Sequence, residues 1–410
     1  MKINKLVLEN GLRVVHVQDI NTQMVAMNIV YDVGASDEDP QRTGFAHLFE
    51  HLMFGGSKHI PDYDTPLQLA GGENNAWTNN DITNYYLTIP SQNLETGFWL
   101  ESDRMLELAF TPKSLEVQRE VVIEEFKQRN LNQPYGDIGH LVRDLAYKVH
   151  PYAWPTIGKE CSHIEQATME EVKDFFFSHY APNNAVLAVT GNVDWERVVA
   201  LTKKWFGPIP SRKIKPRHLP QEPIQTTERR LTVTRSVPVD ALYMTFHMCG
   251  RMDKDYHTYD LLSDILSNGQ SSRLIRKLVQ QEKVFSSIDA YISASRDPGL
   301  FYICGKPAKD ITLEEAEKAI WDELELLKNE SVSEEELEKV KNKFESTQIF
   351  SLNNYLNLAT SLAQAELYAK AEDTFDEVKK YRAVTSSQIK EMACRLFRHE
   401  QACILYYKHQ

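Results

Sequence analysis

Two histidines and a glutamate stand close together in the segment from residue 44 to residue 56, GFAHLFEHLMFGG. His47 and His51 are four residues apart, so on a helix they lie one above the other on the same face. Two imidazoles on adjacent turns can both reach a single Zn²⁺. Glu50 falls on a neighbouring face, close enough to act on an activated water without having to bind the metal.

A second interpretation of the same residues is a pair of core histidines bonded to backbone carbonyls, with Glu50 pairing locally. The flanking residues are Leu, Phe and Met. Burying two histidines and a glutamate among such side chains costs free energy unless something compensates them. A bound metal ion supplies that compensation, so the pattern favours a metal site.

A metal held by two histidines needs a third protein ligand, and an acidic segment downstream can supply it. The sequence LEVQREVVIEEF, from residue 115 to residue 126, predicts a helix with one acidic and one apolar face. Glu120, Glu124 and Glu125 are each able to complete a site of two histidines and one glutamate. The pattern alone leaves the choice between them open.

Between the two metal elements lies a segment that predicts a β-hairpin. After Gly71 and Gly72, residues 76–78 and 83–88 have the composition of paired strands around a polar turn. If the first strand is a free sheet edge beside the metal, its backbone can receive an extended peptide by strand addition. The expected substrate strand consists of Asn75, Ala76, Trp77, Thr78 and Asn79. The alternative is an ordinary hairpin.

Length and composition limit the class of protein. A chain of 410 residues is too long for one ordinary core, and its 42% hydrophobic and 25% charged residues are typical of soluble globular proteins. The five cysteines are scattered and contain no C-x-x-C pair, which suits a reducing compartment. No secretory signal or apolar run of membrane-spanning length is evident, so a cytoplasmic location is expected. The net charge of −12 argues against nucleic acid or an anionic membrane as the main partner.

The chain divides into two halves that resemble each other. Residues 207–230 are rich in Pro, Lys and Arg and predict a linker between a domain of residues 1–206 and one of residues 231–410. Each half begins with a strand that leads through a glycine into an apolar helix. When these helices are aligned, the second half has Asp260, Ser263 and Asp264 where the first has its histidines and glutamate. The first half is therefore the predicted metal-bearing domain, and the second lacks the metal motif.

Both halves also end alike. Thr168 with Glu171 and Thr385 with Gln388 form predicted capping boxes, each before a helix and a final strand. Strands, then helices, then a returning strand indicate an α+β fold of two duplicated domains, each a mainly antiparallel sheet with helices packed on one face. The alternative is a chance similarity of two α+β domains.

With these residues in hand, the chain resembles the pitrilysin–insulysin family of inverted zincin metallopeptidases. The short two-domain type related to the mitochondrial processing peptidase β subunit is the most similar. The resemblance rests on GFAHLFEHLMF, NAWT with TNYY, REVVIEE, His150-Pro151-Tyr152 and Gly191-Asn192-Val193.

The resemblance implies one zinc ion per chain, bound by His47, His51 and Glu125, with Glu50 as the general base. Glu124 is the alternative third ligand if the helix register differs by one residue. Family members carry a second-shell glutamate where this chain has Gln118, which can form a hydrogen bond but adds no negative charge.

A second departure from the family concerns substrate binding. Active relatives hold the substrate with an Arg and a Tyr, seven residues apart, in the domain without metal. This chain has Val279 and Ser286 at those places, and Arg273, Arg276 and Phe285 lie nearby but out of pattern. We therefore expect a dimer, with the hypothesis of a heterodimer in which a homologous subunit supplies the Arg/Tyr pair.

The expected activity is zinc-dependent endopeptidase cleavage of unstructured peptides inside a clamshell formed with that second subunit. Two alternatives remain open. One is a non-catalytic structural or assembly subunit of a larger complex, and the other is a peptidase that processes specific leader or presequence peptides.

Overall fold

The computed structural model describes residues 2–410, which form two compact units. The first unit contains the residues up to Arg129 together with Trp154–Leu219 and Ile349–Asp376. The second contains Asn130–Ala153, Pro220–Gln348 and Glu377–Gln410. No helix formed by residues 2–410 is long and apolar enough to cross a membrane.

The first unit is built on a six-stranded sheet. Its strands are β1 Asn4–Val7, β2 Arg13–Gln18, β3 Met24–Tyr31, β4 Glu73–Thr78, β5 Thr83–Pro90 and β6 Ala185–Gly191. They are arranged in the order β1-β2-β6-β3-β5-β4, and every neighbouring pair is antiparallel except β2 with β6. The strand β4 therefore lies at an edge of the sheet.

The second unit repeats this arrangement with five strands. They are β7 Arg229–Arg235, β8 Ala241–His247, β9 Phe285–Ile292, β10 Leu300–Pro307 and β11 Ala402–His409. Their order is β7-β11-β8-β10-β9, with β7 and β11 parallel and the other pairs antiparallel. The α+β class with mainly antiparallel sheets is thus confirmed.

Helices fill the segments between the strands. They are α1 Phe45–Leu52, α2 Asp64–Leu69, α3 Leu94–Leu106, α4 Pro112–Phe126, α5 Ile138–Ala146, α6 Cys161–Glu165, α7 Met169–His179, α8 Trp195–Trp205, α9 Tyr256–Ser267, α10 Leu313–Asn329, α11 Glu334–Leu352, α12 Tyr355–Tyr368, α13 Glu377–Ala383 and α14 Ser386–Leu396. The capping boxes predicted at Thr168 and Thr385 are both present, at the starts of α7 and α14.

The main core of the first unit lies between one face of its sheet and α1, α3, α7 and α8. Met27 and Ile29 of β3 point into this core, which also contains Leu48 and Phe49 of α1, and all four are buried. Because successive strand residues alternate between the two faces, Ala26 and the other intervening residues point the opposite way. The metal-motif helix is therefore held against the sheet by its apolar face.

The opposite face of each sheet is covered by a helix from the other half of the sequence. In the first unit, Leu358 and Leu362 of α12 pack on Ala26 and its neighbours. In the second unit, Val142 of α5 packs on Leu405 of β11. The sequence predicted helices on one face of each sheet. The helices α12 and α5 cover the second face as well. The division into residues 1–206 and 231–410 stays a prediction about the duplication.

The predicted linker is shorter and better anchored than its composition suggests. Its last two residues, Arg229 and Arg230, already belong to β7. Within the first unit, Arg217 forms an ion pair with Asp37. Within the second, the Glu222 carboxylate accepts hydrogen bonds from the backbone N–H groups of residues 148–150. Composition did not reveal these contacts because each partner is distant in sequence.

Candidate metal centre and active site

The helix that carries the histidines begins at a glycine and is capped by a distant carboxylate. Gly44 has φ of +93°, and a Cβ at this position would lie 3.0 Å from the Ile157 carbonyl oxygen. The buried Glu38 carboxylate accepts hydrogen bonds from the N–H groups of Gly44 and Ala46, at 2.9 and 2.8 Å, and from the Trp154 indole at 3.0 Å. Two otherwise unsatisfied amides at the helix start thus have an acceptor. Sequence analysis missed Glu38 because no local spacing links it to the helix.

His47, His51 and Glu125 converge at one point. Glu125 Oε2 lies 3.5 Å from His47 Nε2 and 3.4 Å from His51 Nε2. Ligands about 2.1 Å from a tetrahedral zinc ion lie roughly 3.4 Å from one another, so the observed spacing fits zinc. Among residues 2–410 this is the group with metal-ligand spacing. Glu120 and Glu124 are exposed on the same helix and are not part of it.

The protonation state of the site also suits a metal. Burial, together with smaller contributions from the neighbouring His51 and Arg129, lowers the pKa of His47 to about 3. The imidazole of His47 is therefore neutral at physiological pH. Neutral imidazole is the form that binds metal ions.

The second oxygen of Glu125 is held by a cation. Arg129 Nη2 lies 2.7 Å from Glu125 Oε1. This ion pair was not predicted from the sequence, although oppositely charged residues four positions apart on a helical segment commonly pair. Gln118, two turns before Glu125, makes no hydrogen bond within the described residues 2–410. Its role as second-shell support stays a prediction.

Glu50 is placed as a candidate base. Burial raises the pKa of its carboxyl group, while the nearby Thr78 hydroxyl and His51 oppose the rise. A carboxylate whose pKa is moved toward neutrality accepts a proton from water more readily. Thr78 ends the edge strand β4, so Glu50 lies beside the predicted substrate strand.

The edge strand has backbone groups that face away from its neighbour β5. Ala76 is paired with Tyr85, and its backbone N–H donates a hydrogen bond to Asn75 Oδ1 at 2.8 Å. Asn79, the last residue of the predicted substrate strand, lies after the end of β4, and its role in binding stays a prediction. Its backbone N–H donates to the Ile82 carbonyl oxygen and its side chain accepts from the Ile82 amide, which closes a turn instead.

The second unit has Val279 and Ser286 at the places where the resemblance leads us to expect an Arg and a Tyr. Val279 is partly buried against the core of that unit, and the Ser286 hydroxyl donates to the Lys306 carbonyl oxygen at 3.0 Å. The nearby Arg273 forms a two-bond ion pair with Glu336, at 2.9 Å for each bond.

Two family models match the chain. Residues 13–159 match the family described as Insulinase (Peptidase family M16), and residues 166–344 match the Peptidase M16 inactive domain. The chain belongs to peptidase family M16.

Similar M16 proteins include named zinc proteases. The chain is 28% identical to the zinc protease PqqE of Helicobacter pylori over 413 residues, which covers 99% of this chain and 93% of that protein. A solved structure of a protease from Helicobacter pylori aligns with a TM-score of 0.92 at 28% identity and covers 99% of both chains. The periplasmic protease PqqL of Escherichia coli has the same fold, with a TM-score of 0.82 at 20% identity over 100% of this chain and 47% of that one.

The inactive-domain match of this M16 chain includes α9 in the second unit. There Asp260, Ser263 and Asp264 take the places of His47, Glu50 and His51. The structure gives this helix no metal-ligand group among residues 2–410. The two units of the M16 chain therefore differ in the residues that carry chemistry.

Proposed function

We propose that this M16 chain is a zinc-dependent endopeptidase. The observation that carries the proposal is the convergence of His47, His51 and Glu125, with one Glu125 oxygen 3.4–3.5 Å from the two imidazole nitrogens, beside a partly buried Glu50. A purely structural subunit has no need for a neutral buried histidine, a matching carboxylate and a neighbouring base. The names of the similar proteins support the same class of activity.

His47, His51 and Glu125 would hold one zinc ion per chain. When bound, zinc supplies a Lewis acid that activates water and polarises a peptide carbonyl. Glu50 accepts a proton from the attacking water and returns a proton to the leaving amine, so the same carboxylate serves both halves of the reaction. Arg129 forms an ion pair with Oε1 of Glu125 and so limits rotation of that carboxylate.

The substrate binds as an added strand along β4. In an antiparallel ladder, successive residues direct their backbone groups alternately toward the neighbouring strand and away from it. The Ala76 N–H lies on the outward side, because its partner is the Asn75 side chain rather than β5. A carbonyl of the bound peptide replaces that side chain as the acceptor.

Strand addition determines what kind of substrate is cleaved. It requires an extended backbone with free N–H and C=O groups and makes few demands on side chains. Unstructured peptides meet that requirement, whereas the strands of a folded protein already use these groups. We therefore assign unstructured peptides as the substrate class.

A second, homologous subunit completes the enzyme in this proposal. Val279 and Ser286 occupy the places where the resemblance leads us to expect an Arg and a Tyr, and Arg273 is already paired. A partner with the Arg/Tyr pair would supply the missing substrate contacts and close a clamshell around the peptide. The proposed assembly is therefore a heterodimer.

The test is hydrolysis of a quenched fluorescent peptide library by the zinc-loaded chain, alone and mixed with candidate homologous subunits. The proposal predicts hydrolysis that needs zinc, is strong only with a partner, and spares a folded protein of matched composition. Full activity of the chain alone would contradict the heterodimer. Failure to hydrolyse any peptide with zinc and every partner would contradict the peptidase assignment.

A further inference from the structure

One residue of the TNYY segment touches both sides of the proposed active site. Tyr85 lies on β5, where its backbone is paired with Ala76 of the edge strand. Its phenol hydroxyl donates a hydrogen bond to the Phe49 carbonyl oxygen at 3.2 Å. Phe49 immediately precedes Glu50. Tyr85 therefore connects the strand that receives the peptide to the helix that carries the base.

The ring of Tyr85 is locked in place by a buried ion pair. Arg104 is fully buried, and its guanidinium carbon lies 4.5 Å from the Tyr85 ring centroid and 4.6 Å from that of Tyr63. Glu101 accepts two hydrogen bonds from Arg104, at 2.8 and 2.6 Å, and a third from the Tyr63 hydroxyl at 2.6 Å. The bonds to Glu101 hold the guanidinium, and its cation–π contact holds the Tyr85 ring against it.

The bond to Phe49 matters because α1 is short. The helix has eight residues, so few ladder hydrogen bonds fix its position. The Phe49 carbonyl oxygen also accepts the Met53 N–H, at 3.1 Å, in the last turn of the helix. The Tyr85 hydroxyl thus adds a tertiary bond to the turn that contains Glu50 and His51.

We infer that Tyr85 is a positioning residue, which fixes Glu50 at the correct distance from a peptide bound on β4. This inference rests on the proposed function, since it assigns Glu50 as the base and β4 as the substrate strand. A displacement of about 1 Å between a base and its substrate is enough to cost on the order of 100-fold in rate. A single hydroxyl that links the two elements is thus expected to affect turnover more than folding.

Tyr85→Phe and Tyr31→Phe form a matched pair of variants. Each removes one hydroxyl from a fully buried ring, and the two rings pack edge to face with centroids 5.9 Å apart. The hydroxyl of Tyr31 has no hydrogen-bond partner within residues 2–410. Tyr31→Phe therefore measures the effect of removing a buried hydroxyl that forms no hydrogen bond. Tyr85→Phe removes a buried hydroxyl and also breaks its hydrogen bond to Phe49.

Two measurements are made on both variants and on the wild type. In the metal-free protein, hydrogen–deuterium exchange follows the amides of α1, that of Met53 above all. In the zinc-loaded, active assembly, steady-state kinetics give kcat and KM. We expect Tyr85→Phe to exchange faster in α1 and to lose about tenfold in kcat with KM nearly unchanged. We expect Tyr31→Phe to behave as the wild type does.

Equal exchange and equal kcat in the two variants would overturn the role of Tyr85 and leave the proposed function standing. A tenfold loss shared by both variants would overturn it too, since burial alone would then explain the effect. An absence of hydrolysis by the wild type would overturn the proposed function. The exchange experiment needs neither zinc nor hydrolysis, so it decides separately whether Tyr85 holds the helix.

Discussion

At the scale of single residues, the sequence left the third metal ligand open between several glutamates, and the geometry of the structure favours Glu125. Glu125 directs one oxygen toward both imidazoles, whereas Glu124 is exposed one residue earlier on the same helix. Helical geometry separates consecutive residues by about 100°, so the two carboxylates cannot both face the histidines.

Glu125→Gln is therefore expected to weaken zinc binding by at least about 100-fold, because an amide oxygen is a poor substitute for a carboxylate ligand. Glu124→Gln is the matched control and is expected to bind zinc as the wild type does. Competition with a chromophoric chelator measures both affinities. A large loss in Glu124→Gln with little change in Glu125→Gln would reverse the assignment.

The chemistry of the site was predictable from sequence because its residues have a fixed local spacing. His47, Glu50 and His51 lie within two helical turns, so the helix alone brings them together. Glu38 and Tyr85 also act on this helix, but they reach it through a loop and a neighbouring strand. No spacing rule connects such residues, and only the folded chain places them beside the site.

At the scale of elements, the proposed function assigns peptide binding to the edge strand β4. Because outward-facing backbone groups alternate along a strand, only every second amide of an added strand bonds to it. A scan of peptide substrates with single N-methylated amides tests this pattern. We expect a loss of kcat/KM at alternate positions, about tenfold each, since one hydrogen bond is removed and a methyl group intrudes. Uniform losses, or losses at one position only, would contradict strand addition.

The helix α9 in the second unit carries two partly buried acids, Asp260 and Asp264, at the spacing of the two histidines of α1. Burial raises the pKa of Asp264 to about 6 from an ordinary 3.8, and Asp260 adds to the rise while Asn268 and Lys343 oppose it. The folded state therefore binds this proton more tightly than the unfolded state. The resulting stability is fully present below pH 3.8 and is lost as the pH rises through about 6.

Asp264→Asn keeps the side-chain shape and cannot ionise. We expect it to raise the free energy of unfolding at pH 7.5 by at most about 3 kcal/mol and to change it little near pH 4. Exposed Asp322→Asn serves as the control, with no such pH dependence. Urea unfolding at the two pH values measures the difference, and a stabilisation that is equal at both would contradict the buried-acid explanation.

At the scale of the whole molecule, the duplicated architecture was predictable, while the exchange of helices between the two halves was not. Alternating strands and capped helices are local patterns, so both sheets and most helices follow from them. The α12 helix carries an apolar face at Leu358 and Leu362, but nothing in its spacing says which sheet that face covers. Its partners Val15 and Ala26 are more than 300 residues away by position in the chain.

Residues 1–206 expressed alone should therefore fail to form a stable domain. Without α12, one face of the first sheet, including Val15, Ala26 and Val186, is left uncovered. We expect strong binding of a hydrophobic dye and no cooperative thermal transition. Co-expression with residues 231–410, which contain α12, is expected to abolish the dye binding and to restore a cooperative transition. A cooperative transition of the isolated fragment would contradict this account of its packing.

The most direct test of the central claim compares zinc content and peptide turnover in the wild type and in Glu50→Gln, under conditions in which the wild type is active. The glutamine keeps the shape of the side chain but cannot accept a proton. The account predicts one zinc ion per chain in both proteins and a kcat/KM at least about 1,000-fold lower in the variant. Wild-type turnover by Glu50→Gln, or no stoichiometric zinc in either protein, would contradict it.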